Sequence, residues 1–580
     1  MGKHAHKRVA GTVALALALG TVLAACGDSK DGGSGDDGSK APEAAANYNG
    51  HTAPFEGGKF NPPVTMTTIG CTSDLKYKNG ETFENNVALR WAKEKLGIEV
   101  KYVWSAPHES GACANKLRLS LSANEPMPDV LHVWANDTAS KNLLQNLIDS
   151  GQFMDITQAF DQYASGELKR IMQQYPQAWN LVSKNNKRYG LPIMQLAHNT
   201  DSLLYIRDDW MKKLNLQPPK TIADLETIMD AFVNQDPDGN GKKDTVGIAL
   251  SLQNTGNTLN FNNWLADGSW IFGAYGATPA VWTKAKNGGL QYGSVQPEMK
   301  PALAKVKEWI EKGYIDKEAT LHDVTKASEL AVSGKAGILP APFWGATWPI
   351  GDLAKNVPGA SMTAYPLPVG PDGKTGHYTL SLATHAFLIN KNYKHPDAAF
   401  HYFNKLLEFS SGTPGSDMEN GFMEGYDYAI VDGKVTKEPD KIPGGPFDVY
   451  KATLIPETPN DPSRNIDSFT RLSKLKPGEQ PANAVDRGNY DCCKSVVANA
   501  MMVYAAKDTA YEDLFIGGAT ETMRSKGEML QKLEMDTFTK IIYGRAPLDE
   551  FDKFVEKWRT SGGEAVTKEV NDWYKSVGGK

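Results

Sequence analysis

An α/β body of two lobes, carried behind an export leader and a polar tether, is the fold class this chain predicts. Three observations lead there. Short apolar runs alternate with segments of helical periodicity, the pattern of an α/β body. The 580 residues exceed what one hydrophobic core serves. The first 50 residues hold one apolar run and then a stretch with almost nothing to bury.

The elements follow in chain order. Lys3, Lys7 and Arg8 open the sequence without an acid, and Val9 to Ala25 are apolar or small. A charged start, an apolar run and a small-residue end make an export signal. The run is shorter than the about 20 residues that a spanning helix needs. Leu23-Ala24-Ala25-Cys26 resembles the lipobox of bacterial lipoproteins, in which the cysteine sulfur takes a diacylglycerol and the signal is cut before it. An ordinary signal peptide with an incidental cysteine and an uncleaved anchor are the other readings. Residues 26–50, dominated by Gly, Asp, Ser, Lys and Ala, read as a flexible tether. The expected location is the extracellular face of the cell membrane, lipid-anchored through Cys26.

Removing residues 1–25 takes away three cations, so the formal charge falls from −6 to −9. An acidic chain disfavours nucleic acid as partner. Cys71, Cys113, Cys492 and Cys493 remain. An even number in an exported chain permits disulfides, with three pairings open, and buried free thiols are the alternative.

Residues 64–69 (VTMTTI) and 129–134 (DVLHVW) read as strands. Thr221 is placed to cap a helix in which Ile222, Leu225, Met229 and Phe232 recur at helical spacing. Phe551, Phe554, Val555 and Trp558 share one face of a later helix. Two polar, proline-rich stretches interrupt the order: 366–377, read as a linker, and 437–462, read as a surface excursion.

The sharpest local motif spans Asp236 to Asp244. Oxygen donors Asp236, Asp238, Asn240 and Asp244 stand at positions 1, 3, 5 and 9 of an EF-hand-like loop, with Gly241 at position 6 and the Lys242 carbonyl at position 7. Position 12 is Gly247 where an EF-hand has glutamate. The candidate metal ligands for a structural calcium are therefore Asp236, Asp238, Asn240, Lys242 and Asp244. A plain turn is the competing reading, because Asp, Asn and Gly also favour turns.

The run from Tyr205 to Trp210 (YIRDDW) through Pro218 to Thr221 (PPKT) into this loop resembles extracellular solute-binding proteins of carbohydrate ABC importers. The closest likeness is to the large lipoprotein type related to the alginate-oligosaccharide binders, whose members carry a calcium loop after the same helix. Further matching segments are 292–298 (YGSVQPE), 333–338 (SGKAGI), 385–392 (HAFLINKN), 538–544 (FTKIIYG) and 549–555 (DEFDKFV). Thr245 departs from that type, which places an acid there.

The resemblance implies a periplasmic-binding-protein-like fold with strands crossing between lobes at a hinge. Its expected organisation is a leader at 1–25, tether at 26–50, first lobe at 51–197, second lobe at 198–368, a return to the first lobe at 369–430, and a mainly second-lobe helical region at 431–580. Sugar sites combine aromatic platforms with polar groups for the hydroxyl rim. Trp134 to Asp137 (WAND) is similar to a sugar-contacting segment of the maltose binder. Trp264 and Trp270 resemble an aromatic cleft segment of the second lobe, and Phe343, Trp344 and Trp348 fall where that family places a stacking ring. Asn199 completes the candidate ligand-binding set. With thirteen tryptophans in the chain, any one of them is also a candidate for the core.

The enzyme alternative, an exported glycoside hydrolase, needs a carboxylate pair that sequence alone does not reveal. His108-Glu109 lacks the second histidine of a zinc motif, Pro368 displaces the first glycine of a P-loop before Gly373-Lys374-Thr375, and no G-x-S-x-G elbow occurs. No catalytic residue is expected. The expectation is a monomeric, non-enzymatic receptor that delivers an oligosaccharide to ABC permease subunits, with a peptide or modified sugar as the alternative solute.

Overall fold

The computed structural model describes residues 50–108, 111–253 and 259–578. Cys26, the leader and most of the tether lie outside them. Nine strands are named here, in chain order: β1 (Val64–Thr72), β2 (Ile98–Pro107), β3 (Val130–Trp134), β4 (Leu191–Met194), β5 (Leu203–Arg207), β6 (Val246–Ile248), β7 (Ala336–Ala341), β8 (Met362–Tyr365) and β9 (Ala383–Ile389). The helices used below are α1 (Ala112–Ser122), α2 (Thr138–Asp149), α3 (Ile222–Asn234), α4 (Pro396–Ser411), α5 (Val497–Ala506), α6 (Glu521–Ile542) and α7 (Glu550–Trp558).

In β1 the residues Val64, Met66 and Thr68 are buried while Thr65 is exposed, the period-two alternation of a strand with one covered face. β1 pairs with β2 in parallel. β9 lies between β3 and β4 and runs antiparallel to both, with His385 opposite Trp134 and Phe387 opposite His132. The second sheet has the order β6–β7–β5–β8, with β6 parallel to β7 and the other pairs antiparallel. All six residues of β7 are buried, as expected of a strand covered on both faces.

Thr221 caps α3 as its position in the sequence predicts. The Asp224 amide donates to its hydroxyl at 3.2 Å, and the Thr221 amide donates to the Asp224 carboxylate at 2.9 Å, a reciprocal capping box. Ile222, Leu225, Met229 and Phe232 are all buried. Gly337 in β7 lets α3 sit this close, because a Cβ there would lie 2.1 Å from the Phe232 ring. At the other end of the chain, Phe551, Phe554 and Trp558 of α7 are buried and Val555 partly so.

The buried apolar residues separate along the chain. One cluster draws on residues 53–194 and 383–455, and the clusters of the second lobe draw on residues 203–350 and 469–570. The stretch 437–462 differs from the surface excursion that its composition suggests. Phe447, Val449, Leu454 and Ile455 are buried in the first cluster, and the Leu454 amide donates to the buried Tyr402 hydroxyl of α4. Among the described residues no helix is long and apolar enough to cross a membrane.

Candidate functional site

Trp134 closes β3 half-buried. The His108 ring stacks on it at 4.1 Å between centroids with a 26° interplanar angle, and His132 meets it edge-on at 4.4 Å. His132 and Trp134 are two residues apart in one strand, so they share a face, and His385 reaches the same group from β9. Burial, reinforced by His385 and His108, holds His132 well below the usual imidazole range, and burial pushes His385 down to about 4. Both are therefore neutral near pH 7. A cavity of about 240 Å³ opens beside them, lined by Cys71, Tyr77, Tyr102, His108, His132 and Trp134 among others. Asp137 is exposed and caps α2: its carboxylate accepts the Ser140 amide at 2.9 Å and its own amide donates to the Ser140 hydroxyl at 3.1 Å.

Three second-lobe candidates come together. Trp264, Trp344 and Trp348 form a near-parallel group with centroid separations of 6.0, 6.2 and 6.4 Å and interplanar angles of 27°, 16° and 18°. Trp348 is 50 % exposed. The Trp344 indole N–H donates to the Asn199 carbonyl at 2.8 Å, and the Asn465 amide donates to the Asn199 side chain at 3.3 Å. Asn199 thus anchors Trp344, one member of the trio, from the segment that joins β4 to β5.

Two candidates are core rings instead. Trp270 is 1 % exposed, donates its indole N–H to the Asp267 carbonyl at 2.9 Å and packs at 6.0 Å on Trp309. Phe343 is buried against Phe469 and Tyr504. Their surroundings in the sequence are as rich in aromatic residues as those of the trio, and tertiary packing separates them.

Sequence reasoning did not single out the polar knot on the crossing segments. The Asp201 carboxylate, 1 % exposed, accepts hydrogen bonds at 2.8 Å from His198 and from His377. Burial opposes its ionised form, yet those two imidazoles hold the carboxyl below the usual range. His377 lies 176 residues further on, so no local signal reveals the pairing.

The 236–244 segment folds as a tight loop in which Gly239 and Gly241 take positive φ of 73° and 74°. Asp236 accepts the amides of Asn240 and Gly241 at 3.0 Å, while the Asn240 amide group donates to Asp238 at 2.8 Å and Asp244 at 3.0 Å. Chiefly the Gly241 N–H holds the Asp236 carboxyl below its ordinary value. Asn240 thus donates to all three carboxylates, from its backbone amide to Asp236 and from its side chain to Asp238 and Asp244. The chain then enters β6: a Cβ at Gly247 would lie 2.9 Å from Met229, so no bidentate glutamate fits there. The Thr245 hydroxyl is buried and donates to the Phe232 carbonyl at 2.7 Å, which turns it away from the loop. Among the described residues no group of three or more His, Cys, Asp or Glu side chains is arranged to hold a metal. Cys71 is disulfide-bonded to Cys113, with Cα atoms 5.4 Å apart.

Two α/β lobes with the chain crossing between them define a periplasmic-binding-protein-like architecture. The chain belongs to the bacterial extracellular solute-binding protein family, whose profile matches residues 76–408. It is 23 % identical over 481 residues to the polygalacturonan/rhamnogalacturonan-binding protein YtcQ of Bacillus subtilis, covering 80 % of this chain and 83 % of that one. It is 26 % identical over 365 residues to the fructooligosaccharide ABC transporter substrate-binding protein FusA of Streptococcus pneumoniae, covering 61 % of this chain and 60 % of that one. The crystal structure of the alginate-binding protein AlgQ2 without calcium ion has the same fold, with a TM-score of 0.60 at 18 % identity over 90 % of this chain and all of that one.

Proposed function

We propose that this chain captures an oligosaccharide between its lobes and hands it, uncleaved, to the permease subunits of an ABC importer. The observation that carries this reading is the Trp264–Trp344–Trp348 group, anchored through Trp344 by Asn199 beside the crossing segments and half-exposed at Trp348. Stacked indoles present flat apolar faces to the C–H side of pyranose or furanose rings. Trp134 and Asp137 supply a platform and an acceptor from the first lobe. The carbohydrates named for YtcQ and FusA support sugar as the solute class.

In this reading the lobes are joined near residues 195–202, 379–382 and 456–463, and the solute favours the closed arrangement because it touches both sides. The chain works as a lipid-anchored monomer on the extracellular face of the membrane, held through Cys26. Asp236, Asp238, Asn240, Asp244 and the Lys242 carbonyl would hold a structural calcium. The ion would offset the negative charge of the loop's three carboxylates and brace the turn between α3 and β6. No group in this account turns the sugar over. The test is a calorimetric and thermal-shift screen against fructo-, xylo-, manno- and galacturono-oligosaccharides, followed by chromatography of the bound sugar. The reading expects saturable one-to-one binding and intact sugar after a day. Cleaved product in molar excess over protein would overturn it.

A further inference from the structure

We infer that the Cys71–Cys113 disulfide is a positioning device for the ligand platform: it clamps His108 against Trp134 and so fixes the plane that the first lobe offers to a sugar. The inference rests on the proposed sugar site. The geometry is local. β1 and β2 end side by side, with Cys71 opposite Ala106 and Thr72 opposite Pro107. His108 adds one further rung, its amide donating to the Thr72 carbonyl at 2.8 Å. The His108 carbonyl in turn accepts the Gly111 amide at 2.8 Å, and Gly111, with φ of 71°, starts α1. Cys113 sits in the first turn of α1 and is bonded back to Cys71, the residue before Thr72. His108 is thus held from both sides by groups that the disulfide ties together.

The held ring meets the platform directly. Its imidazole stacks on Trp134 at 4.1 Å and 26°, His132 packs near-perpendicular to the indole at 4.4 Å, and Cys71, His108, His132 and Trp134 line one cavity. An indole packed between two imidazoles keeps one plane, and a fixed plane lowers the ordering cost of stacking a sugar on it. An extracellular location keeps such a bond oxidised.

The experiment compares the full mature chain with His108→Ala, His108→Tyr, the Cys71→Ser/Cys113→Ser pair and the triple variant. The first readout needs no ligand. In the native protein the His108 ring protons are shifted upfield by the Trp134 ring current in a histidine NMR spectrum, and adding a reductant under folding conditions moves them back. The second readout is affinity for 1-kestose and for trigalacturonate, whichever binds. His108→Ala and the cysteine pair each weaken it about fivefold, the triple variant loses no more than either, and His108→Tyr restores it. Additive losses, or His108 signals that stay shifted after reduction, overturn the inference. If the cysteine pair does not fold, the reductant arm and the Ala/Tyr comparison decide. If neither sugar binds, the site reading fails, while the ring-current result still decides the clamp.

Discussion

Trp348→Ala separates a binding platform from a core ring. Trp348 is 50 % exposed and touches its neighbours through rings more than 6 Å away between centroids. Of the about 250 Å² that a tryptophan presents, about half is open, and a sugar covering half of that removes about 60 Å² from water. At about 25 cal/mol per Å² the loss is about 1.5 kcal/mol, or about tenfold in Kd. The same change costs less stability than removal of an enclosed ring, because only about half of the Trp348 surface is buried in the ligand-free protein. Trp270→Ala is the control. That ring is fully enclosed and donates a hydrogen bond to Asp267, so its removal costs about 3–5 kcal/mol of stability. Isothermal titration with the best oligosaccharide from the screen, beside urea unfolding of both variants, measures the two quantities. Unchanged affinity in Trp348→Ala would refute the assignment of the trio as platform, as would a stability loss equal to that of Trp270→Ala.

Glu534 gives a pH-dependent test. It is buried, accepts hydrogen bonds from Ser294 at 2.6 Å and Tyr292 at 2.8 Å, and burial pushes its pKa up to about 7. A raised folded value means that the stability it contributes is full below the unfolded value of about 4.3 and is lost as pH rises through about 7. Glu534→Gln therefore unfolds at higher urea than the parent at pH 8, and the gap shrinks toward pH 5; a constant gap contradicts the assignment. Thr221→Ala removes one half of the capping box and costs about 1 kcal/mol, while Thr221→Ser costs little, both read from urea midpoints. Calcium at about 100 times its Kd raises stability by about 2.7 kcal/mol if the 236–244 loop holds it. Asp236→Ala/Asp238→Ala abolishes that gain without changing sugar selectivity, and equal melting in calcium and in chelator removes calcium from the account.

Local physics was legible in the sequence, and tertiary choice was not. The Thr221 cap and the face of α3 depend on residues within one helix, so spacing alone identifies them. The His132–Trp134 pair is equally local, a two-residue step in a strand, and that alternation was the available signal for the histidine beside the tryptophan. Trp270 and Trp348 sit in similarly aromatic, glycine-bearing neighbourhoods, yet one faces Trp309 and the other faces solvent. That choice is made by elements distant in the chain. The stretch 437–462 misleads for another reason. Its prolines and charges mask the interspersed apolar residues Phe447, Val449, Leu454 and Ile455, which pack under α4. The Asp201–His377 contact joins crossing segments that no periodicity connects.

Small-angle scattering with and without a saturating oligosaccharide tests the central claim most directly. The mature chain with its best-bound sugar should become more compact as the lobes close over a ligand that touches Trp134 on one side and the Trp264–Trp344–Trp348 group on the other. Trp348→Ala should reach the same compact state at about tenfold higher sugar concentration. A radius of gyration that stays constant at full occupancy would contradict capture between the lobes.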